Sequence, residues 1–178
     1  RQQLIGELGI PHEVRIKEVD EIYPEDLNIY KVPEYLAKLK SEPLKPELNP
    51  GEVLLTSDTV VLFNNSIIGK PKNEDESFNM ISSLSGNMHE VVTGVSMSNS
   101  EKHVSFSTLT KVYFSKLTDD EIWHYIKTFN PMDKAGSYGI QEWIGYIGVR
   151  KIEGCYYNVM GLPLHDVYAM LKKEFIKT

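Results

Sequence analysis

The chain has 178 residues, of which 41% are hydrophobic and 25% charged, a composition typical of one folded globular domain and not of a disordered chain. Its formal net charge of -6 excludes a global positive field for DNA, so phosphate binding would need a local group of cations. Cys155 is the single cysteine, which excludes an internal disulfide and fits a reducing compartment such as the cytoplasm.

The N-terminal region begins with a short helix and a strand. Apolar residues at helical spacing over 4–8 predict the helix, and Gly9 ends it. Alternation of apolar and charged residues over 12–19 predicts a half-buried strand. That strand would place Asp20 and Glu21 together at its end. No apolar run is long enough to predict membrane insertion or a signal peptide.

The next region predicts a buried strand that carries a polar patch. A helix over 35–42 is followed by a loop rich in Pro and Gly over 43–51, which we interpret as a hinge. Apolar runs at 53–55 and 60–63 flank the polar residues 56–59. We therefore expect the patch to interrupt an otherwise buried strand.

Capping signals mark two later helices. Asn73, with Glu76 three residues later, predicts a helix that ends at 85–86. Thr118 and Glu121 form a Thr-x-x-Glu capping box for a helix that ends before an Asn-Pro step.

Further strands and a last helix complete the prediction. The pair Asn64-Asn65 predicts a tight turn into a short strand. Alternation over 90–97 and 104–114 predicts two strands that form a hairpin, and residues 144–152 predict another strand. An amphipathic helix follows residue 163. Helices interleaved with antiparallel strands predict a mixed-sheet α/β fold.

Asp58 is the first candidate functional residue. Burying a carboxylate in an apolar strand is costly unless it is paired, hydrogen-bonded or bound to a metal. The residue is equally consistent with one that begins a turn or binds a nearby backbone amide. Spacing alone does not decide between these readings.

Three lysines are candidates for phosphate contact. Lys70 stands between Gly69 and Pro71, a setting that suits a fixed point charge. A solvated surface lysine is the alternative for Lys70, and equally for Lys40 and Lys134.

The segment 133–141 is a denser candidate. It contains an Asp-Lys pair, glycines at 136 and 139, and Gln141. Such a loop lets the backbone approach a ligand, and an amide can pair with the edge of a base. The alternative is a glycine-rich turn with a surface amide.

Six motifs occur in order along the chain. They are Thr56-Ser57-Asp58-Thr59-Val60-Val61, Gly69-Lys70-Pro71, Leu84-Ser85-Gly86, His89-Glu90-Val91-Val92-Thr93-Gly94-Val95, Asp133-Lys134-Ala135-Gly136-x-Tyr138-Gly139-Ile140-Gln141 and Gly161-Leu162-Pro163-Leu164. Together they resemble the Maf family of nucleotide pyrophosphatases over nearly the whole chain. The ordered set is far more specific than any one motif.

The resemblance implies a single Maf-like domain over 1–178. Its fold would be the elongated α/β fold shared with inosine triphosphate pyrophosphatases: a mixed twisted sheet with flanking helices and two lobes around a nucleotide-binding cleft. It implies cleavage between the α and β phosphates with a divalent cation, Mg²⁺ or Mn²⁺. Members with the loop Lys-Ala-Gly-x-Tyr-Gly-Ile-Gln act on dTTP and UTP, so Gln141 indicates a pyrimidine nucleotide, normal or modified.

The resemblance also assigns catalytic roles. Asp58 matches the proton acceptor, and together with Glu21 it would form the metal site. Lys40 and Lys70 match lysines that contact the triphosphate, and we group them with Asp58 as catalytic.

Substrate-binding roles follow in the same way. Arg1, Thr59 and Gln141 match positions linked to substrate choice. Lys134 is a weaker candidate because the motif can be structural at that position.

Three departures and two rival functions accompany the resemblance. The family begins with Ser-x-Ser-Pro-Arg-Arg, and Arg1 matches the second arginine, so the phosphate-binding segment is expected upstream. Ser57 replaces a usual alanine, and Ser41 replaces the alanine after Lys40. One rival is a pyrophosphatase for a methylated or non-standard purine nucleotide, as in a sister group of the family. The other is a non-catalytic nucleotide-binding regulator of cell division. We expect a nucleoside triphosphate as partner, neither nucleic acid nor membrane, and a cytoplasmic location; a homodimer is left open.

Overall fold

The structure is a computed structural model that describes residues 1–176, and this part contains seven α-helices and five β-strands. The helices are α1 (Gln2–Glu7), α2 (Val32–Ser41), α3 (Glu74–Leu84), α4 (Asp119–Phe129), α5 (Trp143–Gly148), α6 (Tyr156–Val159) and α7 (Leu164–Glu174). The strands are β1 (Leu54–Phe63), β2 (Ser66–Ile68), β3 (Met88–Ser98), β4 (His103–Phe114) and β5 (Val149–Glu153). The fold is mixed α/β, as predicted.

The strands form one sheet in the order β2-β1-β3-β4-β5. Asn64 and Asn65 have φ angles of 51° and 58°, the left-handed pair that a two-residue hairpin requires. They join β1 to β2, whose register pairs Val61 with Ile68. Strands β3 and β4 are neighbours joined by residues 99–102. The predicted turn and the predicted hairpin are both confirmed.

The chain divides into two compact units. Unit 1 comprises Arg1–Thr59, Thr93–Thr108 and the residues from Gly161 onward. Unit 2 comprises Val60–Val92 and Leu109–Met160.

In unit 1, helix α2 lies backbone against backbone on β3. A Cβ atom at Gly94 would lie 2.1 Å from the backbone nitrogen of Glu34 and 2.2 Å from the carbonyl carbon of Pro33. Any side chain at Gly94 would force the first turn of α2 away from the strand. The buried apolar side chains of this unit include Leu4, Val32, Leu36, Ala37, Val95, Met97, Leu162 and Val167.

In unit 2, helices α3 and α4 pack side by side, and the rings of Phe78 and Trp123 stack with centroids 4.8 Å apart. Asn73 caps α3 by accepting the Glu76 N–H at 2.8 Å, and the capping box at Thr118 is present at α4. Both predicted helix starts are confirmed. The core of the unit comprises Val61, Ile81, Leu84, Val91, Val112, Phe114, Leu117, Ile122, Tyr125, Ile126, Tyr138, Ile140 and Ile144.

The predicted strand over 12–19 is wrong. These residues form neither helix nor strand, and Val14 and Ile16 are 48% and 84% exposed. Arg15 pairs with Glu52 at 3.0 Å, so an ion pair ties the segment to the loop after α2. Alternation of apolar and charged residues indicates which side chains would share a face of a strand. A strand also needs a neighbouring strand that pairs with its backbone N–H and C=O groups.

One other strand prediction needs correction. The strand predicted over 144–152 is helix α5 followed by β5. A Cβ at Gly145 would lie 1.7 Å from the carbonyl oxygen of Ile140, so α5 stacks on the preceding loop through a contact that local patterns do not encode. The predicted buried strand with a polar patch at 56–59 is confirmed as β1, which is continuous from Leu54 to Phe63.

Across residues 1–176, none of the helices combines the length and the apolar character needed to cross a membrane.

Candidate active site

Three predicted residues of unit 1 meet in a charge cluster, which we define as Glu21, Lys40 and Asp58. Lys40 lies in the last turn of α2 and Asp58 lies in the middle of β1. The Lys40 Nζ is 2.6 Å from Asp58 Oδ1 and 2.9 Å from Glu21 Oε1. One ammonium group therefore bridges two carboxylates.

Burial explains why this pairing matters. Asp58 is only 8% exposed, and a buried carboxylate without a partner is strongly destabilising. Lys40 supplies the compensating charge, and its place at a helix C-terminus suits a cation. Glu21 and Lys40 also line an open cavity of about 1400 Å³ within unit 1, so a ligand can reach these two members of the cluster.

The cluster fits a divalent cation in its chemistry. The described residues hold no group of three or more His, Cys, Asp or Glu side chains arranged around a metal. However, Mg²⁺ in phosphate-handling sites is commonly held by one or two carboxylates together with the substrate phosphates. Glu21 and Asp58 already converge on one cation, the ammonium of Lys40.

Arg1 and Thr59 form a second group in unit 1. The Arg1 guanidinium donates to Gly161 O at 3.0 Å, to Ser57 O at 2.9 Å and to Thr59 Oγ1 at 3.1 Å. Thr59 Oγ1 also lies 2.9 Å from Thr93 Oγ1. A guanidinium has five N–H groups, so two donors lie outside these three hydrogen bonds. Arg1 can hold its neighbours in place and still bind an anion.

Lys70 and Gln141 in unit 2 are both exposed. Lys70 follows β2, and none of the described ion pairs involves its ammonium group. The backbone carbonyl of Gln141 accepts a hydrogen bond from the Tyr146 hydroxyl at 2.9 Å. Its side-chain amide makes no hydrogen bond within residues 1–176, and both side chains are therefore available to a ligand.

Lys134 is placed differently. Its ammonium is 2.9 Å from Asp133 Oδ1 and 3.3 Å from Glu142 Oε1. The hydrogen bond from Lys134 lowers the pKa of Asp133. Burial opposes the charge on Lys134, but Asp133 and Glu142 outweigh it and raise the pKa of Lys134. With two carboxylate partners, Lys134 has a structural role in the loop, and its predicted contact with substrate remains a prediction.

Tyr125 and Glu142 are polar residues of this region that sequence reasoning missed. The hydroxyl of Tyr125, on α4, accepts the Gly139 N–H at 3.0 Å and is hydrogen-bonded to Glu142 Oε2. Tyr125 occupies a core position beside Ile122 and Ile126, which conceals its polar role. A carboxylate directly after the glycine-rich loop was the available signal for Glu142.

The backbone of the loop is tightly constrained. Gly136 and Ser137 have φ angles of 69° and 61°. The Gly136 N–H donates to Gly69 O at 3.0 Å, and Ser137 Oγ lies 2.5 Å from Ser77 Oγ in α3. A Cβ at Gly136 would lie 3.1 Å from a methyl group of Val61. Local hydrogen bonds and packing thus fix one conformation.

A buried histidine supports the same loop. His89 Nε2 is 2.6 Å from the Tyr138 hydroxyl, and both rings pack edge-on against Phe114. Burial lowers the pKa of His89 to about 4, so the ring is neutral at physiological pH.

Comparison with known proteins identifies the family. The profile of the Maf-like proteins matches residues 1–174. The chain belongs to the Maf-like protein family.

Named relatives of this Maf-like protein agree with that membership. The chain is 46% identical to the dTTP/UTP pyrophosphatase of Phocaeicola vulgatus over 174 residues, which cover 97% of this chain and 90% of that protein. It is 46% identical to the dTTP/UTP pyrophosphatase of Christiangramia forsetii over 173 residues, covering 97% and 88%. The protein of that name from Porphyromonas gingivalis is 44% identical over 175 residues, covering 97% and 88%.

Proposed function

We propose that this protein hydrolyses dTTP and UTP, or modified forms of these nucleotides, to the nucleoside monophosphate and pyrophosphate. The observation that carries the proposal is the charge cluster, in which the buried Asp58 and the exposed Glu21 share the ammonium of Lys40. A carboxylate held this way suits proton transfer beside a phosphate group. The relatives named dTTP/UTP pyrophosphatase support the choice of substrate.

In the proposed reaction, a water oxygen bonds to the α-phosphorus while the bond from that phosphorus to the bridging oxygen breaks. Pyrophosphate leaves with the bridging oxygen. Asp58 accepts the proton of the attacking water through Oδ2, since Lys40 engages Oδ1. Lys40, Lys70 and the two remaining donors of Arg1 balance the negative charge that grows on the pyrophosphate, a contribution that dominates phosphoryl transfer.

Glu21 and Asp58 would hold a divalent cation, Mg²⁺ or Mn²⁺. When bound, such a cation neutralises phosphate charge and polarises the phosphoryl oxygens. The convergence of the two carboxylates on one positive charge supports this assignment.

Selection of the base is assigned to Gln141. Its exposed amide offers both a donor and an acceptor, the combination that reads the edge of a pyrimidine. Thr59 and Arg1 are proposed to contribute to substrate choice, with Lys134 in a lesser role.

The test is pyrophosphate release by the whole protein with Mg²⁺ on dTTP, UTP, CTP, ATP, GTP and methylated GTP. We expect turnover of dTTP and UTP, reduced on the order of hundredfold or more in Asp58→Asn, which removes the proton acceptor but keeps the side-chain size. Asp26→Asn, at an exposed position, is the matched control and is expected to keep full turnover.

The panel also separates the rival functions. Full activity in Asp58→Asn would refute the role of Asp58. Preference for methylated GTP would favour the purine enzyme. Nucleotide binding with no pyrophosphate release from any substrate would favour a non-catalytic regulator.

A further inference from the structure

Gln141 lies between two anchored neighbours. On its N-terminal side, the backbone N–H of Gly139 donates to the Tyr125 hydroxyl at 3.0 Å. On its C-terminal side, the carboxylate of Glu142 is hydrogen-bonded to the same hydroxyl. A single oxygen atom on α4 therefore holds the chain on both sides of Gln141.

The direction of these hydrogen bonds is fixed by chemistry. An ionised carboxylate and a backbone N–H offer only one arrangement, in which the hydroxyl accepts from Gly139 and donates to Glu142. Burial, together with the bond to Glu142, raises the pKa of Tyr125, so the donor proton is retained. The second oxygen of Glu142 lies 3.3 Å from the ammonium of Lys134, which orients the carboxylate.

Close packing turns these bonds into a constraint on position. A Cβ at Gly139 would lie 3.0 Å from the carboxyl carbon of Glu142 and 3.2 Å from Cε of Lys134. The loop therefore has little room to shift while the hydroxyl holds it. The amide of Gln141 makes none of these contacts and points its hydrogen-bonding groups to no described partner.

We propose that Tyr125 is a positioning residue for base selection, because its hydroxyl fixes the backbone on both sides of Gln141. The inference rests on the proposed function, in which Gln141 reads the base. Hydrogen-bond discrimination depends steeply on distance and angle. Without the hydrogen bonds of Gly139 and Glu142 to this hydroxyl, the protein would still bind a triphosphate but would distinguish less well between the edges of different bases.

The experiment compares UTP with CTP, whose bases differ in the group at position 4 and in whether N3 carries a hydrogen, so donor and acceptor are exchanged along that edge. In Tyr125→Phe, which removes the hydroxyl alone, we expect the ratio of kcat/KM for UTP over CTP to fall about tenfold. The loss should appear mainly as a higher KM for UTP, with kcat changed less than about threefold. A purely structural defect would reduce the fraction of active protein. It would lower kcat/KM equally for UTP and CTP and leave their ratio unchanged.

Tyr138→Phe is the matched control, because it deletes a buried hydroxyl of the same loop that binds His89 and not the backbone beside Gln141. It should keep the UTP preference. Gln141→Ala should lose the preference, and adding Tyr125→Phe to it should cause no further loss, because both changes act through one amide.

The outcomes distinguish this inference from the proposed function. If the unmodified protein prefers UTP over CTP and Tyr125→Phe shows the same preference, the inference about Tyr125 is overturned while the proposed function stands. Equal losses in Tyr138→Phe, or additive losses with Gln141→Ala, also overturn it. Should Tyr125→Phe not fold, Glu142→Ala must produce the same loss of ratio. Failure of the unmodified protein to cleave any nucleotide overturns the proposed function together with this inference.

Discussion

The charge cluster and the loop 133–142 use charged and polar residues in opposite ways. In the cluster, three charges face one another beside an open cavity, and Glu21 comes from a segment without regular structure. In the loop, Lys134 is enclosed by two carboxylates, and Tyr125, Ser77 and Gly69 hold the backbone. The same residue types thus form a charge cluster beside a cavity in one region and hold the shape of a loop in the other.

The difference lies in what surrounds each lysine. Lys40 neutralises a buried carboxylate that a substrate or cation can also engage, whereas Lys134 is balanced by carboxylates whose hydrogen bonds belong to the loop itself. A lysine beside carboxylates is therefore not evidence of catalysis. The other bonds of the carboxylate distinguish the two cases, since Glu142 is also hydrogen-bonded to Tyr125.

The largest effect that tests this contrast is expected at Lys40. Lys40→Gln removes the cation but leaves an N–H donor for Asp58, and we expect kcat/KM for UTP to fall at least about hundredfold, near 3 kcal/mol of transition-state stabilisation. Lys38→Gln, on the same helix and paired with Glu34, is the control and should retain activity. If Lys40→Gln stays active in a pyrophosphate-release assay, the cluster has only a structural role.

A comparable effect on stability is expected from His89. Its folded-state pKa of about 4 lies below the ordinary value near 6.5. Between these pH values the unfolded chain binds a proton that the folded chain does not. The free energy of unfolding should therefore fall as the pH drops from 6.5 to 4, by up to about 3 kcal/mol from this group. Above pH 6.5, titration of His89 should not change the free energy of unfolding.

Urea denaturation at several pH values measures this dependence. His89→Gln should flatten the slope between pH 6.5 and 4, whereas His165→Gln, at an exposed position, should leave it unchanged. An identical slope in His89→Gln would show that the loop is not supported by a neutral buried histidine.

The smallest effect concerns the loop backbone. Gly136→Ala combines a left-handed φ of 69° with a Cβ 3.1 Å from Val61, and we expect a loss of about 2 kcal/mol in unfolding free energy. Gly9→Ala has nearly the same φ, 67°, with nothing within 4 Å, so it should cost about 1 kcal/mol. Equal losses in urea denaturation would mean that packing against Val61 adds nothing.

The fold was predictable wherever the signal is local. Asn73 and Thr118 carry their own capping partners within three residues, and Asn64-Asn65 carries its own turn geometry. The strand predictions for residues 12–19 and for α5 were wrong because the conformation of these segments depends on distant contacts. One segment lacks a strand to pair with, and the other stacks on Ile140 through Gly145.

The site was predictable in its residue types but not in its pairings. Asp58 was suspected because a buried carboxylate needs a partner, yet no spacing identifies Lys40, eighteen residues earlier, as that partner. Within the polar patch of β1, Thr56 donates to the carbonyl of Ala37 at 2.6 Å, a partner that no local spacing identifies either. The role of Tyr125 was not predicted because a tyrosine fits the apolar face of a helix whether or not its hydroxyl forms hydrogen bonds.

The contact at Gly94 has a consequence for evolution and for engineering. The helix that begins against Gly94 carries Lys40 six residues beyond Glu34, roughly 9 Å along its axis. Because the start of this rigid rod touches the strand without an intervening side chain, the absence of one methyl group sets the depth at which the ammonium meets Asp58. A substitution at Gly94 would therefore change the spacing of the charges around Lys40 without touching any of them.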